Sequence, residues 1–307
     1  MAGNRVIVLE EHFSHPELLG GIPPAIGDAL LDLGERRLRE MDEAEIDLQV
    51  LSHFPTGPQN LPPETAPAMS RAVNDLTHAT IRKWPDRFAG FAALPLTAPQ
   101  EAAAELERAV LELGFKGAML HGMCNGVPLD DRRFWGVYET AQSLDVPIYL
   151  HPDAPPPAVA EAYYQGHPAL LGPGWAYTVE TATQALRLMM SGVFDEYPRL
   201  KIILGHLGES LPFSIVRCDA NITRRANLKR PLIDYFHDHF WLTTAANFSN
   251  SALACCLMEM GADRIMFSID WPFASNTEGR RFIDAAPISP DDRAKILGGN
   301  AVRLLKL

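Results

Sequence analysis

No apolar run in this 307-residue chain approaches the roughly 20 residues that a membrane-spanning helix needs. The four cysteines, Cys124, Cys218, Cys255 and Cys256, include no Cys-x-x-Cys spacing, which argues against a disulfide framework and a zinc knuckle. Cys255 and Cys256 fall inside the helical pattern "SALACCLMEMGAD" and read as small core residues in a reducing compartment. Basic residues are outnumbered 27 to 38, for a formal charge of −11. That balance argues against a nucleic-acid partner or an anionic membrane surface. It leaves room for an anionic small substrate if a buried cation offsets the field locally. No GxGxxG turn follows the first apolar run, which argues against an open dinucleotide-binding sheet. Nor does the start show the basic-then-apolar pattern of a signal peptide, because Glu10 interrupts the run, so a cytoplasmic location is expected.

What is present is a core-forming composition, 47% hydrophobic and 21% charged, incompatible with disorder. Eight short apolar runs recur: "RVIVLE", "LQVLSH", "FAGFAAL", "KGAMLHG", "VPIYLH", "KIILGH", "HFWLTTA" and "RIMFSID". Helical patterns such as "APAMSRAVNDLTHATIRKW" and "VETATQALRLMMSGVFDEYP" lie between them. Strand alternating with helix eight times predicts an α/β fold, a (β/α)8 TIM barrel of one domain over 1–307. In the closing segment "SPDDRAKILGGNAVRLLKL", Ser289 is a candidate N-cap with Pro290 in the first turn. Two stretches read as long irregular loops, "SHPELLGGIPPAIGDALLDLG" after strand one and "PDAPPPAVAEAYYQGHPALLGPGW" after strand five. Both would lie on the C-terminal face, where barrel enzymes carry their chemistry.

Polar residues gather at the strand ends. Strand one ends in Glu10, Glu11 and His12, strand five in His151, strand six in His206 and strand eight in Asp270. Alternation along a strand points Glu10 and His12 together and turns Glu11 away, toward a helix or a neighbouring strand. Taken singly, a strand-end His is an ordinary core or loop residue and a strand-end Asp a turn former. Jointly, two imidazoles and two carboxylates from strands one, five and eight suit Zn²⁺, Mn²⁺ or Fe²⁺ better than Mg²⁺ or Ca²⁺. In "KIILGHLGESLPF", Gly205 and Gly208 permit a sharp turn. Glu209, three residues after His206, shares its face if a helix starts there, so it either orients that imidazole or caps the helix.

"LEEHF", "YLHP", "IILGHLGESLP" and "FSIDWPF" resemble the amidohydrolase superfamily, and within it the aminocarboxymuconate-semialdehyde decarboxylase-like branch. The likeness extends through "PDRFAGFAALPL", "ELGFKGAML" and the ending "NAVRLLKL", and is nearest to the γ-resorcylate (2,6-dihydroxybenzoate) and 2,3-dihydroxybenzoate decarboxylases. The resemblance implies that Glu10, His12, His151 and Asp270 bind one divalent metal ion, Zn²⁺ or Mn²⁺ ahead of Mg²⁺. It implies a catalytic His206 supported by Glu209, and an Arg217 near the substrate or across a subunit contact. Many amidohydrolases begin with His-x-His; the Glu10-x-His12 start matches the decarboxylases. Binuclear members bridge two metals with a lysine at the end of strand four, whereas here Lys116 sits at that strand's start and His121 ends it without an assigned role.

The implied activity is non-oxidative decarboxylation of a small aromatic carboxylate, an ortho-hydroxybenzoate, by a homodimer or homotetramer. The ion would chelate carboxylate and phenolate, Asp270 would protonate the ring carbon, and His206 with Glu209 would orient substrate or relay the proton. Phe13, Trp175, Phe273 and Phe248 are candidate walls, and Asn247 a candidate contact to a ring hydroxyl. Rival readings on the same barrel are a metal-dependent hydrolase of lactones or amides, a hydratase, and a binding protein without catalysis.

Overall fold

The computed structural model describes residues 5–55 and 57–307; the first four residues, which bear on the signal-peptide reading, lie outside them. Among the described residues, nine parallel strand segments form in chain order: β1 (Ile7–Phe13), β2 (Leu48–His53), β3 (Phe88–Gly90), β4 (Ala92–Ala93), β5 (Ala118–His121), β6 (Ile148–His151), β7 (Ile202–Leu204), β8 (Phe240–Thr243) and β9 (Ile265–Met266). They pair in the orders β1-β2-β3 and β4-β5-β6-β7-β8-β9. The single expected third strand is two segments because the chain changes partner at Phe91. The Phe91 N–H donates back to Leu51 at 2.9 Å and the Ala92 N–H forward to Gly117 at 2.8 Å. Eight barrel positions thus remain, as in a (β/α)8 fold.

The eighth position meets the first mainly through side chains. Only Ile265 and Met266 pair as a strand, and beyond them the Ser268 hydroxyl accepts from the Leu9 and Glu10 N–H groups at 3.2 and 2.7 Å. These two donors sit where β1 carries one residue more than β2 between paired positions, a bulge that strands extra N–H groups. Glu11, buried, points outward to this seam and accepts from the Ile269 N–H at 3.0 Å and the Trp271 N–H at 3.3 Å. The His12 N–H closes the row on the Trp271 carbonyl at 2.7 Å.

The barrel interior is an apolar plug of Ile7, Leu9, Val50, Phe91, Met119, Tyr149, Ile203 and Met266, sealed from below by Ala301, Leu304 and Leu305 of the last helix. That closing segment starts as expected, the Ser289 hydroxyl accepting from the Asp292 N–H at 3.0 Å. It then widens into a π-helical turn, Lys295–Gly299, where Gly298 packs so closely on the Arg5 carbonyl that no side chain fits. The two expected irregular loops each carry a helix, Pro24–Leu31 and Pro157–Tyr164. In both, proline opens the helix where a missing N–H costs nothing. Helices Leu211–Ile222 and Leu232–His239 between β7 and β8, and Asn276–Ala285 after β9, complete the outer ring. No helix among the described residues is long and apolar enough to cross a membrane.

Ser268→Ala leaves the Leu9 and Glu10 N–H groups without an acceptor in a dry seam. A loss of roughly 1–3 kcal/mol per unmet donor is expected in urea unfolding. A loss below about 0.5 kcal/mol, within the range of neutral substitutions, would show that the seam is held by other contacts.

Candidate metal centre

Alternation on two facing strands builds the floor of the barrel mouth. Glu10 and His12 turn inward from β1, and Tyr149 and His151 turn inward from β6. Asp270 is added from beyond β9, its backbone in the left-handed region at φ 75°, which aspartate tolerates better than most residues. All four side chains, Glu10, His12, His151 and Asp270, are buried, and one ligand atom from each lies within 4.8 Å of the others. His151 Nε2 is 3.1 Å from Glu10 Oε1, and His12 Nε2 is 3.2 Å from Asp270 Oδ1.

Glu10 Oε1 and His12 Nε2 are nevertheless buried without a hydrogen-bond partner. Two such unmet atoms within one buried group are unfavourable unless a cation satisfies them. Two imidazole nitrogens and two carboxylate oxygens are a donor set that fits a divalent transition ion. The outer edges of the ligands are already held. Ser52 Oγ lies 3.2 Å from His12 Nδ1, and His151 Nδ1 donates to the Pro152 carbonyl at 2.7 Å, which turns its Nε2 toward Glu10. Glu10 Oε2 accepts from the Tyr149 hydroxyl, which also meets Thr243 Oγ1 at 2.7 Å.

Charges reinforce this division. Burial disfavours an ionised Glu10, yet His206 and His151 outweigh it and keep its pKa below the ordinary carboxylate value. Asp270 is likewise held low against burial, by His12 and His206. Burial depresses His12 despite Asp270, and His121 still further with His151 adding to the effect, so both imidazoles favour the neutral form. His206 goes the other way. Burial opposes its charge, but Glu209, Glu10 and Asp270 together raise its pKa well above the usual histidine value.

His206 reaches this position by a route that a starting helix would not supply. Residues His206, Leu207, Gly208, Glu209 and Ser210 all have positive φ, between 51° and 77°, and the helix begins only at Leu211. The left-handed run still brings Glu209 Oε1 to His206 Nδ1 at 2.6 Å and turns His206 Nε2 to within 3.6 Å of Asp270 Oδ2 and 3.7 Å of Glu10 Oε1. Gly208 serves this turn, with φ 77°. Gly205 does not. Its lack of a side chain admits Glu10, since a Cβ there would lie 2.6 Å from Oε2.

The other expected site residues divide. Phe273 lies beside the centre, its ring 6.0 Å from that of His12, and Asn247 donates to the His206 carbonyl at 3.1 Å. Phe13 is not brought to the centre. One residue after His12, it turns to the opposite face and packs edge-on to His53. Phe248 packs on Phe282 instead, Trp175 is half exposed before the helix Ala176–Ser191, and Arg217 is exposed on the helix Leu211–Ile222. His121 joins the group from β5, its Nδ1 3.2 Å from that of His151. Sequence reasoning missed Tyr149, Ser52 and Phe54. Tyr149 was accessible from its place two residues before His151. Phe54, whose ring is 5.3 Å from Phe273, carries no local signal.

Gly205→Ala should push the Glu10 carboxylate aside while the protein stays folded. Calorimetric titration of the metal-stripped protein should then show Mn²⁺ affinity at least about tenfold weaker. Unchanged affinity would mean that the carboxylate has room to spare.

Residues 27–307 match the amidohydrolase family model. The chain is 46% identical to the γ-resorcylate decarboxylase of Polaromonas sp. strain JS666, covering 99% of each chain. It superposes with a TM-score of 0.93 on the dihydroxybenzoic acid decarboxylase of Polaromonas sp. JS666 solved with manganese and the inhibitor 2-nitroresorcinol, at 45% identity over 99% of this chain and 97% of that one. A 2,6-dihydroxybenzoate decarboxylase solved with 2,6-dihydroxybenzoate gives the same TM-score at 41% identity, over 99% and 100% of the two chains. With its buried Glu10–His12–His151–Asp270 group at the mouth of a (β/α)8 barrel, the chain belongs to the amidohydrolase family.

Proposed function

We propose that the protein is a divalent-metal-dependent, non-oxidative decarboxylase of an ortho-hydroxybenzoate, with 2,6-dihydroxybenzoate the leading substrate. One observation carries the reading: a four-ligand acidic and imidazole group with two unmet atoms, in a chain similar over its full length to enzymes of that activity. Glu10, His12, His151 and Asp270 would hold an ion such as Mn²⁺, which would supply positive charge toward the substrate's anionic oxygens and the charge that develops on the ring.

The chain's own groups do the rest. His206 holds a proton on Nε2, fixed by Glu209 at Nδ1 and facing Asp270 Oδ2, so the pair can pass that proton to the carboxylate-bearing carbon. As the new C–H bond forms, the bond to the carboxylate breaks, its electron pair returns to the ring, and CO₂ leaves without oxidation or reduction. Phe54 and Phe273, tilted 30° to one another, supply apolar faces beside His12 on which a flat ring can rest.

An oligomer, homodimer or homotetramer, is part of this proposal. Its support is Phe213, Val216 and Met258, exposed apolar side chains on the neighbouring helices Leu211–Ile222 and Asn250–Met260.

Incubated with Mn²⁺ and a panel of 2,6-dihydroxybenzoate, 2,3-dihydroxybenzoate, salicylate and orsellinate, the protein should release CO₂ and the corresponding phenol from at least the first. Water addition or lactone opening without CO₂ would transfer the assignment to the hydratase or hydrolase reading. Asp270→Asn should retain the fold and lower kcat by roughly 10²–10⁴-fold, and near-normal turnover would remove both roles given to that residue. His206→Ala should lose activity while keeping most of its metal, and metal loss would make His206 a ligand instead.

A further inference from the structure

We infer that Tyr149 is a positioning residue of the metal centre: its hydroxyl reaches across the barrel, ties up Oε2 of Glu10 and leaves Oε1 as the one oxygen offered to the ion. The inference rests on the metal-binding reading above and adds a residue to it.

The two oxygens of Glu10 sit in different surroundings. Oε1 lies 3.1 Å from His151 Nε2 and 3.7 Å from His206 Nε2, on the side where the ligand atoms converge, and has no hydrogen-bond partner. Oε2 faces away from that side. It is held by Tyr149 and lies against Gly205, whose missing side chain gives it room. A carboxylate left to itself would turn about its last bond, but one anchored at Oε2 cannot.

The direction of the bonds follows from the groups. An ionised carboxylate has no proton to give, so the Tyr149 O–H donates to Glu10. The Tyr149 oxygen then accepts from Thr243 Oγ1 at 2.7 Å. The chain Thr243 to Tyr149 to Glu10 links three different strands, and each bond polarises the next.

Position in the fold explains why a tyrosine serves here. The ring belongs to the apolar plug, 5.9 Å from that of Phe91, and shares its strand face with His151 two residues later. The ring is therefore locked by packing while only its hydroxyl enters the polar layer. Substitution by phenylalanine removes that oxygen and little else, leaving Glu10 buried without its donor.

The test is Mn²⁺ binding to the metal-stripped full chain, followed through free Mn²⁺ by electron paramagnetic resonance without substrate. Tyr149→Phe should weaken binding about 10–100-fold and alter the spectrum of bound Mn²⁺. Thr243→Val, one bond further out, should weaken it by about 2–5-fold. A Tyr149→Phe affinity within twofold of wild type overturns the inference. So does unchanged affinity in Thr243→Val should the tyrosine variant fail to fold. Wild-type protein that takes up no Mn²⁺ overturns the metal reading itself, an outcome distinct from failure of Tyr149's part in it.

Discussion

The architecture turns on keeping one carboxylate, that of Glu10, out of water at the centre of the barrel mouth. An isolated anion in that position would be costly by several kcal/mol. His151 and His206 offset part of this, Tyr149 donates to one oxygen, and the other oxygen is left facing the remaining ligands. Each element that touches Glu10 is shaped by it. Gly205 forgoes a side chain, and the bulge that begins β1's polar end hands its spare N–H groups to Ser268. With Glu10 and Asp270 held anionic and only His206 drawn toward the charged form, the site's own residues leave it net negative, a balance that a bound cation offsets.

Strain is concentrated where the chemistry is proposed. A left-handed conformation costs about 1–2 kcal/mol for each residue with a side chain. Here His206, Leu207, Glu209 and Ser210 adopt it in a single run, with Asp270 doing so across the mouth. The run is held by the Leu207 N–H on the Thr243 carbonyl at 2.7 Å and by Asn247 on the His206 carbonyl. Its effect is to turn an imidazole back over the barrel instead of letting it continue along the helix that follows. The Asp270 turn then sits on Trp271, which is buried beneath the Arg37 guanidinium at 3.9 Å and donates from Nε1 to Glu40 at 2.7 Å. The two strained turns face each other from rigid supports, as a proton-passing pair requires.

The barrel was legible because parallel strands buried on both faces must be apolar runs and the helices between them must be amphipathic. Both patterns are local. The ligand group was legible for a related reason: polar residues at the end of an apolar run have few structural uses, and alternation assigns Glu10 and His12 to one face. Less legible were features set by distant neighbours. Phe13 lies among candidate wall residues in sequence but turns to the opposite face, while Phe54, without a distinguishing pattern, stands beside Phe273. The Glu209 partnership with His206 was expected on a helix and is made on a left-handed turn, so the contact was right and the backbone behind it was not.

By itself, then, the sequence determined the alternating α/β order and which ionisable side chains end up at the C-terminal mouth, since hydrophobic periodicity and face alternation are short-range properties. Only the tertiary structure decided which of those side chains meet, that Gly205 is small for the sake of Glu10 rather than for a turn, and that the Tyr149 hydroxyl reaches Glu10. Those facts depend on distances between strands far apart in the chain, where packing fixes what no local pattern records.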